Sequence, residues 1–223
     1  MNKNILGIIP ARAGSKGVVG KNKRKVKNIP LIEYTINSAK ESKKLTHIII
    51  STDDKDIIKL AKLNDIEVIM RPKEISGDND SVEDAVKHCL ESSQINFDVI
   101  VLLQPTAPLR TSKDIDNSID VFEKNDIRVC SVCLCEDNHP ARMYAKKNGM
   151  LSSLFPEHSQ KRRQDLPSIY HRNGAIYIFD KSHLYSDGII GNVMIPYEMD
   201  AKSSVNIDSE LDFLLFECLL DAK

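Results

Sequence analysis

Five short runs of β-branched and apolar residues punctuate the first 135 residues, and the segments between them follow a different period. The runs are ILGII (5–9), HIIIST (47–52), IEVIM (66–70), DVIVLLQ (98–104) and RVCSVCL (128–134). Each is continuously apolar rather than alternating, the pattern of strands covered on both faces. The intervening segments are amphipathic. PLIEYTINSAKES (30–42) sets Leu31, Tyr34 or Thr35, Ile36 and Ala39 on one side behind Pro30, a residue suited to a first helical turn. DKDIIKLAKLN (54–64) groups Ile57, Ile58 and Ala61 behind an acidic start. SVEDAVKHCLESS (81–93) places Ser81 three residues before Asp84, close to a capping box, and TSKDIDNSIDVFEK (111–124) repeats the device with Thr111 or Ser112. Strand–helix alternation of this kind predicts an α/β fold with a doubly wound, mostly parallel sheet. Ligands of such sheets bind beyond the carboxyl ends of the strands, which singles out the loops starting at Pro10, Thr52, Arg71, Gln104 and Cys135.

The pattern breaks at 136–170, where Pro140, Gly149, Pro156 and Pro167 interrupt a polar stretch of weak periodicity. It is too long for a simple connection inside a domain and is expected to be an inserted lid or an arm packing on a partner subunit. The core then resumes with GAIYIFD (174–180), GNVMIPYE (191–198) and a last helix over 208–222. At 223 residues the chain suits one domain, 1–223, carrying that arm.

Charge and cysteines narrow the function. With 31 basic and 32 acidic residues the formal net charge is −1, without the basic excess of a nucleic-acid binder. Residues 11–27 nevertheless carry Arg12, Lys16, Lys21, Lys23, Arg24, Lys25 and Lys27 and no carboxylate. The nearest aromatic is Tyr34, so stacking on bases is not expected there. The five cysteines include CSVCLC (130–135), which has no second Cys/His pair at metal-binding spacing and reads as a buried strand. Lys3 followed by ILGII and ARA imitates a signal peptide, but the apolar run is shorter than a secretory core, and a soluble, cytoplasmic protein is expected.

The stretch ARAGSKGVVGKNKR (11–24) joins the first strand through a glycine-rich loop, an architecture that aims backbone N–H groups at an anion. It is not a Walker loop: Ser15 stands at the first glycine position and Asn22 at the Ser/Thr position. Nor is it a dinucleotide fingerprint, because Gly14, Gly17 and Gly20 are evenly spaced. What remains is Arg12, a planar fork, and Lys21, a mobile point charge, flanking a flexible loop. The pairing suits a triphosphate, where one cation positions and the other neutralises developing charge. Near the other terminus, SVNIDSELD (204–212) supplies acids at the start of the last helix. Glu210 and Asp212 read as first-turn complements to the helix dipole. Asp208 follows the strand-like SVNI and is a candidate Mg²⁺ ligand facing the crevice, since Mg²⁺ is commonly held by one or two carboxylates plus substrate phosphates.

Together, IIPARAGSKGVVGKN (8–22), IIISTDD (48–54), VIMRPKEIS (68–76), LLQPTAPLRT (102–111), YHRNGAIYI (170–178) and NIDSELD (206–212) resemble the cytidylyltransferases that activate sialic acid and related nine-carbon keto acids. The pieces occur in the family's order and span essentially the whole chain; the CMP-Kdo synthetases are a lesser match. The resemblance implies an α/β/α nucleotide-diphospho-sugar transferase fold, a homodimer, and transfer of CMP from CTP to the anomeric hydroxyl of a nonulosonic acid with release of pyrophosphate, assisted by Mg²⁺. It implies Arg12, Ser15 and Lys21 on the triphosphate with Lys16 nearby, and Asn22 on the ribose. Arg71, Asp80 and Ser81, with the loop at 78–81, would enclose the cytosine. Gln104, Arg163, Asn173 and Tyr177 would line the sugar side, Arg163 binding the acid's carboxylate, and Asp208 would hold the metal. The chain departs from the family in having Asn206 where an aspartate is usual and Arg142 where a lysine is frequent. Lys23, Arg24, Lys25 and Lys27 are left as a solvated flank. The competing readings are a CTP-binding module without catalysis and a nucleic-acid binder.

Overall fold

The fold is described by a computed structural model covering residues 3–14, 17–77 and 80–222. The chain opens with β1 (Ile5–Pro10) and a tight hairpin of β2 (Lys25–Val26) and β3 (Ile29–Pro30) leading into α1 (Leu31–Lys40). Alternation follows as β4 (His47–Thr52), α2 (Lys55–Leu63), β5 (Glu67–Met70), α3 (Val82–Ser92), β6 (Val99–Leu102), α4 (Ser112–Asn125) and β7 (Val129–Leu134). A second hairpin, β8 (Tyr144–Lys147) and β9 (Met150–Ser153), precedes β10 (Tyr170–Asp180), α5 (Lys181–Ser186), β11 (Ile195–Glu198) and α6 (Glu210–Asp221).

Seven strands form one sheet in the order β11-β7-β10-β6-β1-β4-β5. β10 runs antiparallel to both its neighbours, and the remaining pairings are parallel. The sheet is the doubly wound, mostly parallel one that the apolar runs predict. Its strand order reverses at β1, which has β4 on one side and β6 on the other, so the crevice between the ends of β1 and β6 is the place where a ligand binds in this topology. Ile32, Ile36, Ile57, Ile115, Ile119 and Phe122 of α1, α2 and α4 pack on one face of the sheet. Val86, Cys89 and Leu90 of α3 and Leu184 of α5 pack on the other. At roughly 1.5–3 kcal/mol for each fully buried aliphatic side chain, these two layers hold the sheet rigid beneath the loops.

A third cluster sits over the end of the sheet: Val18 and Val26 of the opening segment, Leu109, Ile207, and Phe213 and Phe216 of α6. It ties the C-terminal helix to the first loop. α6 begins with a capping box, Ser209 and Asp212 satisfying each other's backbone, which bears out the helix-start reading of Asp212. Thr111 caps α4 in the same way, and Ser81 caps α3.

Three expectations are corrected. SVNI (204–207) forms no strand; it runs out of a turn at Ser204 into a coil fixed by the Ile207 N–H donating to the Thr106 carbonyl at 2.7 Å. The last long strand begins at Tyr170 rather than 174, because a bulge between Arg172 and Tyr177 hides its period. The basic flank is not merely solvated: Lys23 pairs with Asp54 and Asp56, Arg24 with Glu210, and Lys27 with Asp221. Residues 130–134 of CSVCLC lie in β7, with Cys130 and Cys133 buried and Cys135 just past its end. Residues 136–170 carry the β8–β9 hairpin, a two-stranded sheet of its own outside the main one. No helix among the described residues is long and apolar enough to cross a membrane.

Candidate active site

A cleft of about 380 Å³ opens at the carboxyl ends of β1 and β6. Four distant stretches of sequence meet there. The opening loop contributes Arg12, Lys21 and Asn22; the segment from β5 to α3 contributes Arg71, Asp80 and Ser81; the loop after β6 contributes Gln104 and Thr106; and the segment before α6 contributes Asn206 and Asp208. Of the residues expected at the site, Arg12, Lys21, Asn22, Arg71, Asp80, Ser81, Gln104 and Asp208 are brought together on one wall system. Ser15, Lys16 and Asp78 lie outside the described residues.

The opening loop is braced from below. The Ala11 N–H donates to the Ser51 carbonyl at 2.9 Å, and the Thr52 hydroxyl donates back to the Ala11 carbonyl at 2.5 Å. The Ala13 N–H donates to Asp53 Oδ1 at 2.7 Å, so the IIISTDD segment acts as a rail for the loop. Asn22 turns its amide inward, donating to the Arg12 carbonyl at 3.3 Å. The second glycine of the loop, Gly17, has a strict packing reason: a Cβ there would stand 2.5 Å from the Asp208 carbonyl oxygen. The loop and the acidic segment therefore touch backbone to backbone.

Lys21 is the hinge of this contact. It is 8% exposed, and its ammonium donates to the Ile207 carbonyl at 2.7 Å and to Asp208 Oδ1 at 2.9 Å. Asp208 is by contrast two-thirds exposed and stands in the open cleft. Its Oδ2 accepts from the Asn206 amide at 2.5 Å. The Asn206 Oδ1 is buried and has no partner within the protein. On the opposite wall Arg71 is buried, donating through Nε to the Ser51 hydroxyl and through Nη2 to the Ser51 carbonyl, both at 3.2 Å. Burial pushes its guanidinium below the ordinary value, yet an arginine stays cationic at neutral pH. Burial likewise pushes the thiol of Cys89, a core residue of α3 near Arg71, up to about 11, so Cys89 is inert rather than a nucleophile. Asp80 folds its carboxylate onto the Gly77 N–H at 2.5 Å, and Ser81 starts α3, whose first turn opens on the cleft. Phosphate groups suit such a helix start.

Arg163, Asn173 and Tyr177 do not line the cleft. Arg163 lies on the exposed 136–170 segment, with Nη2 3.4 Å from Glu136. Arg142 is likewise exposed, in a short turn over Pro140–Arg142. Tyr177 is 8% exposed within the sheet, between β6 and β7. Asn173 is buried and fully engaged: its Oδ1 accepts from the Ser131 hydroxyl at 2.6 Å and the Ala175 N–H at 3.1 Å, and its Nδ2 donates to Ser204 at 2.9 Å. It fastens the β10 bulge rather than presenting itself to a ligand. The bulge in turn brings Gly174, at φ +74°, so close to the cleft that a Cβ there would lie 3.0 Å from Gln104 Oε1. Sequence reasoning missed Asp53 and Arg110; both stand inside quoted segments, but neither has a spacing signal that marks it.

A loop of cations and an exposed carboxylate stand at the strand-order reversal of a mostly parallel α/β sheet, and this sheet is that of the nucleotidyltransferase fold. The solved structure of CMP-2-keto-3-deoxy-manno-octonic acid synthetase complexed with CTP superposes with a TM-score of 0.75 at 14% identity, covering 98% of this chain and 99% of that one. Residues 6–217 match the Cytidylyltransferase family, and the chain belongs to that family. It is 33% identical over 218 residues to the N-acylneuraminate cytidylyltransferase of Escherichia coli O18:K1:H7, covering 96% of this chain and 52% of the relative. It is also 33% identical over 225 residues to the CMP-N,N'-diacetyllegionaminic acid synthase of Campylobacter jejuni, covering 98% and 96%. The chain thus spans about half the length of the N-acylneuraminate cytidylyltransferases it matches, and nearly the whole of the legionaminic relative.

Proposed function

We propose that this chain transfers CMP from CTP to the anomeric hydroxyl of a nonulosonic acid of the sialic or legionaminic type, releasing pyrophosphate. One observation carries the reading: Lys21 and Asp208, 187 residues apart in sequence, meet at 2.9 Å in the cleft at the strand-order reversal. The anomeric oxygen attacks the α-phosphorus, and the bond from that phosphorus to the oxygen bridging to the β-phosphate breaks. Little covalent chemistry is asked of the protein, so alignment and charge stabilisation carry the rate. In this reading Arg12 and Lys21 hold the triphosphate, with Ser15 and Lys16 beside it, and Asn22 holds the ribose. Arg71, Asp80 and Ser81 form the base side. Gln104 orients the sugar, and Arg163, which lies outside this chain's own cleft, would meet the sugar's carboxylate from the arm of a second copy, as a guanidinium fork does well.

The donor set suits one Mg²⁺. Asp208 is exposed in the cleft, and each of its oxygens accepts a single hydrogen bond, which leaves lone pairs on both. Asn206 Oδ1 is an acceptor without a protein partner. One carboxylate completed by substrate phosphates is a normal Mg²⁺ environment. The ion when bound would neutralise charge on the departing pyrophosphate. Lys21 keeps the Asp208 carboxylate in place and lends its own charge to the same phosphates.

We further propose a homodimer formed through the 136–170 arm and a cytoplasmic setting, the latter supported by five cysteines none of which is paired. The test is pyrophosphate release from CTP with a panel of nonulosonic acids, legionaminic acids first, with and without EDTA. Release that depends on both sugar and divalent cation is expected. CTP binding without release for any acid would make the chain a nucleotide-binding module instead.

A further inference from the structure

Arg110 is the most deeply buried cation near the cleft, at 2% exposure, and the function just proposed makes no use of it. Its Nη1 donates to two backbone carbonyls, Ala175 at 2.8 Å and Gln104 at 3.3 Å. Its Nε and Nη2 have no partner within the protein. No carboxylate among the described residues pairs with it. Asp114, the nearest acid to act on it, is spent on the Thr111 backbone and hydroxyl and on the Tyr197 hydroxyl. Burial pulls its guanidinium down to about 9, which still leaves it charged at neutral pH. A half-satisfied buried cation is costly, and such a cost persists where the surroundings use it.

The two carbonyls that Arg110 grips belong to the two backbones that frame the Gln104 side chain. Residue 104 carries that side chain into the cleft, and residue 175 follows Gly174, whose missing Cβ leaves room for Gln104 Oε1. Nη1, shared between the two carbonyls, therefore fixes the loop after β6 against the bulge of β10 at the point where they share the amide. We propose that Arg110 is a positioning residue: by clamping the Gln104 and Ala175 carbonyls it holds the Gln104 amide at the angle at which it receives the acceptor sugar. The proposal rests on the reading of Gln104 as a sugar-orienting group. It predicts that Arg110 acts on the acceptor and leaves CTP alone, since the triphosphate residues of the opening loop hang on a different rail.

The test is a double-mutant cycle in the full chain with Gln104→Ala and Arg110→Met, a length-matched change that removes the fork, and with Arg110→Lys as the second variant. Folding is checked by circular dichroism and CTP affinity by calorimetry. Arg110→Met is expected to lower kcat/KM for the sugar by about tenfold while CTP affinity stays within about twofold. The double variant should be no slower than Gln104→Ala alone, because an interaction that works through one group is lost only once. Arg110→Lys, which keeps the charge and one donor direction, should recover part of the loss. The Gln104 side-chain amide signal in ¹⁵N NMR, assigned by its absence in Gln104→Ala, should shift in Arg110→Met. Additive losses in the cycle, or an unmoved Gln104 signal, would overturn the proposal, as would equal losses in CTP affinity and sugar turnover. If the unaltered chain turns over no nonulosonic acid, the sugar reading fails, and the amide signal alone decides whether Arg110 sets Gln104.

Discussion

The opening loop and the 136–170 arm both carry arginines assigned to the substrate, yet they are built in opposite ways. The loop is locked. Its backbone is tied to β4 and Asp53, Gly17 touches the Asp208 backbone, and Lys21 is buried against Ile207 and Asp208. The arm is open. Arg163 has a 57% exposed side chain and one long contact with Glu136, and Met150 and Leu151 of the hairpin are 72% and 68% exposed. The described cleft residues thus all come from one chain, whereas the arm presents charge and apolar surface to something not part of the cleft. A second copy of the chain is the occupant proposed above, and the following experiments bear on that contrast.

Lys21→Ala should give the largest effect. It removes the one buried cation that spans loop and acid, and kcat for pyrophosphate release should fall at least tenfold, a barrier increase of about 1.4 kcal/mol or more. The fold should survive, because Asp208 is already solvated and the loss is mainly one hydrogen bond to the Ile207 carbonyl, worth about 1 kcal/mol. Asp208→Ala should match it in size. Stopped assays on the folded variants decide; near-normal turnover by Lys21→Ala would end the assignment of the loop.

The arm comes next. Introducing charge on the hairpin with the pair Met150→Asp and Leu151→Asp should turn a dimer into a monomer in light scattering and raise KM for the sugar while CTP affinity stays level. Arg163→Ala should raise the sugar KM by about fivefold or more, since a bidentate guanidinium–carboxylate contact is among the stronger polar ones. A wild-type chain that is monomeric at all concentrations would remove the arm from the site.

The same contrast explains what could be read from sequence. The sheet was legible because its runs are continuous and its helices announce their starts with Ser81, Thr111 and Asp54, all three of which cap as side chains. Eight of the expected residues share the cleft; Arg12, Arg71 and Gln104 could be placed there because each stands just past a strand end, whereas the others came from the loop and acidic motifs and from the resemblance. Asn173 misled because its motif says nothing about direction: a β-bulge turns its amide into the Ser131–Ser204 network rather than toward a ligand. Arg110 was invisible because a lone arginine ahead of a helix looks like surface charge until the fold closes over it. Asp208 was placed correctly at the cleft for a wrong local reason, as a coil pinned by Thr106 holds it instead of a strand.

The smallest expected effect concerns how Asp208 is aimed. Asp212 accepts from the Asp208 N–H at 2.9 Å, the Ser209 N–H at 2.7 Å and the Ser209 hydroxyl at 2.8 Å. Partial burial pushes its carboxyl up, but these donors prevail and hold it below the usual 3.8. A depressed folded value means that the stabilisation is fully present above pH 3.8 and is lost as pH falls through the folded value, because protonation removes the acceptor the donors need. Asp212→Asn keeps an acceptor oxygen and abolishes the titration. Thermal melts of this variant should therefore show a flatter decline below pH 4 than the unaltered chain. At neutral pH it should cost only about 0.5 kcal/mol, the loss of one largely solvent-screened charge at a helix start. If the locked character of the loop side depends on this cap, the variant should also widen the Asp208 amide signal at pH 7. An unchanged signal would mean that the Lys21 contact alone is enough to aim the carboxylate.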